Sequence, residues 1–87
     1  MNHILKADRL PFQAFLSGVK NFEFRLNDRG YQVGDQLTLK EINEDKVFTG
    51  RRCVVHVTYI LDKGYGVPEG YCVMSITSPN TSQSEEE

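Results

Sequence analysis

Alternating hydrophobic and polar positions predict five short strands and one helix along this chain. Residues 53–61 form the longest β-branched run, which favours a central place in a sheet. Residues 3–7 are few enough for an edge strand. The remaining predicted strands are residues 21–27, 36–43 and 71–77, and residues 47–52 lead into the central strand.

The helix is predicted between the first two strands. Its apolar positions follow the i, i+3, i+4, i+7 spacing of one helical face: Phe12, Phe15, Leu16 and Val19. Asp8 precedes it as a cap, Pro11 is tolerated in its first turn, and Gly18 supplies the usual stop. We expect an amphipathic helix of about two turns whose aromatic side chains face the core.

The order of elements predicts the fold class. A strand, a helix and four closely spaced strands leave no room for the crossovers of a doubly wound parallel sheet. A small, mostly antiparallel α+β barrel with one N-terminal helix satisfies the pattern. Gly50 predicts a bulge or bend where the strand turns a corner of this barrel.

Residues 18–35 hold most of the candidate chemistry. The strand within them has one apolar face, made of Phe22, Phe24 and Leu26, and one polar face, made of Glu23, Arg25 and Asn27. We predict that the apolar face anchors the core, so that its substitution unfolds the chain. Residues 27–30 and 33–35 carry turn chemistry, which gathers further charges near the polar face.

Composition indicates one domain, residues 1–77, followed by a disordered acidic tail, residues 78–87. The net charge is −2, but all ten basic residues and only nine of twelve acidic ones precede the tail. A body so nearly balanced does not by itself indicate nucleic-acid binding, although a local basic patch fits it. No apolar run is long enough to span a membrane and the N-terminus lacks a signal-peptide core, so we expect a cytoplasmic protein.

Metal and cofactor sites are not predicted. Cys53 and Cys72 lie in apolar strand-like runs and are expected to be buried free thiols. Cys53 and His56 would point to opposite faces of a strand, and His3 stands alone near the N-terminus. This spacing does not match a zinc site.

The pattern Gly18-x-Lys20-x-x-Glu23-x-Arg25, followed by Val33-Gly34-Asp35, resembles the signature of the ASCH domain in the PUA-like superfamily. Agreement over nearly the whole chain except the tail is similar to small stand-alone ASCH-like domains of bacteria and phages. The resemblance implies a compact β-barrel and an association with RNA. Some stand-alone members of the superfamily are enzymes, including an amidohydrolase that acts on acetylated cytidine and others proposed to cleave RNA.

A binding module is the first functional hypothesis, with RNA or a nucleotide-like ligand as the partner. Arginine forks suit phosphate geometry, and Tyr31, Phe48, Tyr59, Tyr65 or Tyr71 could stack on bases, although each ring alone is more simply core or rim. The competing interpretation is a surface salt bridge between Glu23 and Arg25, worth about 1 kcal/mol or less. The predicted binding residues are Lys20, Glu23, Arg25, Asn27, Asp28, Arg29, Thr49 and Arg51.

An enzyme is the second hypothesis. Lys20 matches the active-site lysine that the resemblance implies for the amidohydrolase branch, but that branch has a threonine where this chain has Glu23. A carboxylate there would hold the ammonium charged and weaken it as a base. RNA cleavage by Lys20 with Tyr31 or Thr49 is a further alternative. A protein-interaction adaptor that binds through the edge strand of residues 3–7 is the third.

Overall fold

The structure is a computed structural model that describes residues 1–77. The tail predicted for residues 78–87 lies outside the described residues. The elements follow the predicted order of one strand, one helix and four strands: β1 (Asn2–Asp8), α1 (Arg9–Ser17), β2 (Phe22–Leu26), β3 (Gln36–Ile42), β4 (Phe48–Leu61) and β5 (Tyr71–Ile76).

The five strands form one sheet in the order β1-β3-β4-β5-β2. β1 pairs with β3 in parallel, and the other three pairings are antiparallel. The predicted α+β class, the mostly antiparallel sheet, the central β4 and the edge position of β1 are confirmed. The parallel pair arises because α1 and β2 both intervene between β1 and β3, which gives the chain the length to return in the same direction.

Helix α1 begins after Asp8 and ends at Ser17, where Gly18 adopts a φ of +81° and donates its N–H to the Phe15 carbonyl. Phe12 and Phe15 are buried, as predicted. Val19 was predicted on the same face, and this is wrong because the helix ends two residues earlier and Val19 is 80% exposed. Asp8 occupies the capping position, but its side chain makes no capping hydrogen bond.

The predicted bulge at Gly50 is confirmed. Lys40 pairs with Arg52 and Ile42 with Phe48, so two steps along β3 oppose four steps along β4. Gly50 lies within this longer stretch with a φ of +96°, which a residue with a Cβ rarely adopts. Beyond the bulge β4 supplies the centre of the core, where Cys53, Val55 and Val57 belong to one buried cluster with residues of α1 and β3.

The sheet is curled, so that its first and last strands face each other. A flat sheet would separate β1 and β2 by four strand spacings, about 19 Å. Instead, Arg25 of β2 donates to the carbonyl of Lys6 in β1 at 2.7 Å, and Arg29 donates to the carbonyl of Ile4 at 2.8 Å. Within residues 1–77 no strand pairing joins β1 to β2. We call the gap between these two strands the seam.

The predicted orientation of β2 is wrong. Phe22, Phe24 and Leu26 are 46–50% exposed, whereas Glu23 is only 6% exposed. Glu23 pairs in register with Met74 and Arg25 with Cys72, both buried, so the polar face of β2 points inward beside the core. The phenylalanines therefore do not anchor the interior, and we no longer expect their substitution to unfold the chain.

Candidate functional site

The seam opens into a cleft of about 460 Å³ between β1, β2, the first turn of α1 and the turn after β2. Seven charged side chains line it, four basic and three acidic. Phe15, Tyr31 and Pro11 are among its uncharged walls. The charged set is Lys6, Asp8, Lys20, Glu23, Arg25, Asp28 and Arg29.

Glu23 is the buried carboxylate of the cleft. Arg25 donates to it from Nε, and the Nζ of Lys20 lies 3.9 Å from its other oxygen. Lys20 also sits over two aromatic rings, 4.8 Å from the centroid of Phe15 and 5.2 Å from that of Phe22. One carboxylate thus positions two cations at the cleft, and the ring faces restrict where the ammonium can go.

The arginines of the cleft also hold the seam together. Because β1 has a sheet neighbour only on its β3 side, its carbonyls on the other edge need hydrogen-bond donors from elsewhere. Arg25 and Arg29 supply them by bonding Lys6 and Ile4. The guanidinium groups take the place of a missing strand pairing, so side chains that line the cleft also link its two strands.

Tyr31 forms the inner wall of the cleft and is only 4% exposed. Its N–H donates to the Asn27 side-chain oxygen at 3.1 Å, and its ring meets His3 edge-on at 4.7 Å. Burial raises the pKa of the Tyr31 phenol, and the nearby Arg25 and Arg29 act in the opposite direction. Tyr31 is therefore a neutral phenol at physiological pH rather than a poised base.

Asp35 fixes the turn beneath this wall. One of its oxygens lies 2.8 Å from His3 Nε2 and accepts the Gln32 N–H at 3.0 Å, and the other accepts from the Met1 ammonium at 3.1 Å. The hydrogen bond with His3, followed by that from Gln32, lowers the pKa of Asp35 to about 2. This network ties β1 to the turn that carries Tyr31, so it sets the position of the inner wall.

Two aromatic side chains stand at the rim of the cleft. Phe24 and Tyr71 are stacked with ring centroids 5.3 Å apart and an interplanar angle of 18°. Both line the cleft and both are substantially exposed, Phe24 at 48% and Tyr71 at 37%. The cleft thus offers flat apolar surface directly beside its cations.

The structure brings five of the eight predicted binding residues together around the cleft. These are Lys20, Glu23, Arg25, Asp28 and Arg29. Asn27 lies behind the site, where it supports Tyr31 through its side chain and bonds the Gly70 carbonyl through its N–H. It faces a separate depression against the loop of residues 62–70.

Thr49 and Arg51 do not line the cleft. Both bind the buried carboxylate of Glu41, Thr49 at 2.6 Å and Arg51 Nε at 3.0 Å. Arg51 also lies over the Phe12 ring, with 5.1 Å between the guanidinium carbon and the ring centroid. The hydrogen bond from Arg51 lowers the pKa of Glu41, and that pairing raises the pKa of Arg51. Thr49 and Arg51 thus bind Glu41 of β3 across the bulge of β4, and this structural role explains why the chain has them.

Sequence reasoning did not identify Lys6, Asp8 or Phe24 as part of the site. Lys6 and Asp8 precede the motif by ten residues or more and reach the cleft only because the sheet curls. Phe24 was assigned to the core for its hydrophobicity. The buried Glu23 and the partly buried Arg25 on a short edge strand are the feature that could have revealed the outward position of Phe24, and only tertiary structure shows that burial.

Cys53 and Cys72 are both buried free thiols, as predicted. Within residues 1–77 no three histidine, cysteine or acidic side chains come together in a way that could hold a metal ion. No helix of this part of the chain is long and apolar enough to cross a membrane.

Comparison with known proteins places the chain in a family. A 60-residue stretch is 40% identical to a protein of Escherichia phage P2 described as "Uncharacterized 12.9 kDa protein in GpA 3'region". The match covers 69% of this chain and 54% of the phage protein, so the chain spans about half the length of that relative. The sequence profile of a family described as "Domain of unknown function (DUF3850)" matches residues 2–76. The chain therefore belongs to the DUF3850 family.

Proposed function

We propose that this chain is an ASCH-type, PUA-like domain that binds RNA or a nucleotide-like ligand in the seam cleft. The observation that carries the proposal is the inward-facing Glu23 between Lys20 and Arg25 in a concave site. A flat arrangement would have favoured a simple surface salt bridge, whereas a concave one can surround a small anionic group.

The charge of the cleft supports an anionic ligand. Four basic and three acidic side chains line it, and Glu23 is already matched by two cations. The charges of Lys6 and Arg29 are offset by Asp8 and Asp28, so the one excess positive charge of the cleft lies in the group of Lys20, Glu23 and Arg25. Guanidinium groups that already have fixed orientations suit phosphate oxygens because less side-chain entropy is lost on binding.

The seam also fits the proposed PUA-like fold. In a PUA-like barrel β1 and β2 would close the sheet, and the seam is where these strands approach each other. The bonds from Arg25 and Arg29 to β1 support such closure through side chains. A ligand at the seam would then touch both ends of the sheet at once.

Titration with fluorescently labelled single-stranded RNA at low and moderate salt tests the proposal. We expect binding that weakens with salt, and Lys20→Ala should reduce the salt slope by about 0.7 for one lost phosphate contact. Lys40→Ala is the matched control, because Lys40 also lies over an aromatic ring, Phe48 at 4.8 Å, but outside the cleft. A folded wild type that binds at neither salt concentration would refute the proposal.

The same proteins distinguish binding from hydrolysis. Wild type and Lys20→Ala are incubated with acetylcytidine and with single-stranded RNA, and products are separated by chromatography. Product from wild type alone would make Lys20 catalytic and replace the binding proposal with an enzymatic one. RNA binding without product from either protein is the expected result.

A further inference from the structure

The outward face of β2, β5 and β4 carries a group of exposed apolar side chains. Five of its side chains are between 37% and 63% exposed: Phe22, Phe24, Leu26, Tyr59 and Tyr71. Val73, Ser75 and Leu61 fill the positions between them. We call these eight residues the outer platform. Scattered exposed apolar residues are ordinary, but a contiguous patch of this kind marks an interaction site.

Strand register shows that these side chains form one surface. Phe22 pairs with Ser75, which pairs on its other side with Tyr59. In the next row Phe24 pairs with Val73, which pairs with Leu61, and Leu26 pairs with Tyr71 beyond it. Paired residues of neighbouring strands project from the same face, so three rows of side chains lie side by side without a charged member.

The platform is continuous with the cleft across the free edge of β2. Phe24, Leu26 and Tyr71 belong to both, and Lys20 lies 5.2 Å from the ring centroid of Phe22. Flat apolar surface and fixed cations therefore alternate over a short distance. Single-stranded nucleic acid has the complementary alternation, because its bases stack on rings while its phosphates bind cations.

Other occupants match less well. A second copy that extended the sheet at β2 would meet the inward-pointing charges of Glu23 and Arg25, a feature that discourages edge-to-edge pairing. Residues 78–87 contain no aliphatic side chain larger than proline and no aromatic ring, so the chain's own tail does not suit an aromatic face.

We infer that the outer platform is a base-stacking surface for single-stranded RNA whose phosphates occupy the seam cleft. The inference rests on the proposed function and extends it from an anionic group to a polymer of several nucleotides. Because Phe24 and Tyr71 stack on each other, the base nearest the cleft meets a ring face that this pair leaves uncovered, and Phe22 and Tyr59 extend the surface for its neighbours.

The test compares two labelled probes at low salt. One is an oligouridylate of about ten nucleotides, within the span that a small single-strand-binding domain covers, and the other is a ribose-phosphate backbone of equal length without bases. The variants are Phe24→Leu, Tyr71→Leu and Tyr71→Phe. Phe48→Leu is the control, since Phe48 is 49% exposed, carries Lys40 on its ring and lies outside the platform.

Wild type should bind the oligouridylate more tightly than the abasic probe. Phe24→Leu and Tyr71→Leu should each weaken oligouridylate binding by about 5-fold to 100-fold and leave the abasic probe unchanged. Tyr71→Phe keeps the ring and should bind like wild type, as should Phe48→Leu. Thermal unfolding of each variant checks that it is folded.

Equal wild-type affinity for both probes would overturn the base-stacking inference while leaving the proposed function intact. Absence of binding to either probe would refute the proposed function as well. Sedimentation velocity tests whether the platform instead binds a second copy of the chain. A concentration-dependent wild-type dimer that Phe24→Leu dissociates would make the platform a self-association surface and overturn the inference.

Discussion

Arg25 connects the two edges of the sheet, and its replacement should loosen the seam. Its Nε donates to Glu23, and its Nη2 donates to the Lys6 carbonyl at 2.7 Å. Lysine at this position would retain the charge but offer a single compact ammonium on a shorter, non-planar group. It can therefore serve one of the two acceptors well, but not both.

The exposure of the Arg25 contacts sets how much stability each substitution removes. The Arg25 side chain is 29% exposed and the Lys6 contact is open to water, so a lost carbonyl bond is partly replaced by hydration. Arg25→Lys should lower the free energy of unfolding by about 1 kcal/mol. Arg25→Met also leaves the buried Glu23 carboxylate with Lys20 alone, at 3.9 Å. We expect Arg25→Met to lower the free energy of unfolding by about 2–3 kcal/mol, which is less than the loss on removing one partner from a fully buried ion pair.

Urea unfolding followed by circular dichroism measures both losses. For a domain of this size the free energy of unfolding is about 4–13 kcal/mol, and each kcal/mol lost lowers the melting temperature by about 4–8 °C. Hydrogen exchange should also show more frequent opening of β1, the strand that Arg25 holds. Arg52→Lys, at an exposed position of β4, is the control for the arginine-to-lysine change. If Arg25→Met falls within about 0.5 kcal/mol of wild type, as an ordinary surface substitution does, the seam is not held by Arg25.

Three further predictions address the turn, the orientation of β2 and the core thiols. Hydrogen bonds hold the pKa of Asp35 at about 2, below its ordinary 3.8, so Asp35 stabilises the fold above about pH 4 and this contribution is lost as the pH falls toward 2. Urea midpoints should therefore drop less steeply below pH 4 in Asp35→Asn, and parallel curves would contradict the assignment. Phe12→Ala should lower the free energy of unfolding by about 3–5 kcal/mol because Phe12 is fully buried. Phe24→Ala, at a half-exposed site, should lower it by only about 1 kcal/mol. Equal losses in urea titrations would show that the apolar face of β2 points inward. Burial raises the pKa of Cys53 to about 11 and also raises that of Cys72, so both thiols should resist a thiol reagent in the native protein and react in urea, and rapid native labelling would show that the core opens.

The limits of sequence reasoning are clearest at β2. A period of two shows which side chains share a face, but not which face points inward. Hydrophobicity would choose Phe22 and Phe24 for the interior, and for an isolated strand that choice is reasonable. Here burial of Glu23 is tolerated because Lys20 and Arg25 compensate its charge, and the phenylalanines remain half-exposed on an edge strand. That compensation depends on three-dimensional distances, which the spacing of residues does not give.

Elements fixed by local chemistry were predictable. Gly18 ended the helix, Gly50 marked the bulge and the β-branched run of β4 took the centre of the sheet. The pairing of Glu23 with Arg25 was also found, since residues two apart in a strand share one face, and Lys20 reaches Glu23 from the segment before β2. Lys6 joined that cluster only through the curl of the sheet, and Arg51 was excluded from it by a stronger partner, Glu41.

Arg25 both links the two edge strands and lines the cleft where an anion is proposed to bind. A guanidinium carries five N–H donors, and the described bonds of Arg25 to Glu23 and Lys6 use two of them. The other N–H groups can meet a phosphate without breaking the contacts that hold the seam. Because those contacts already restrict the side chain, the entropy lost on binding is smaller than for a mobile surface arginine. A seam held by arginines rather than by backbone pairing therefore leaves an opening between the strands, and in the proposed anion site it would supply donors that are oriented in advance.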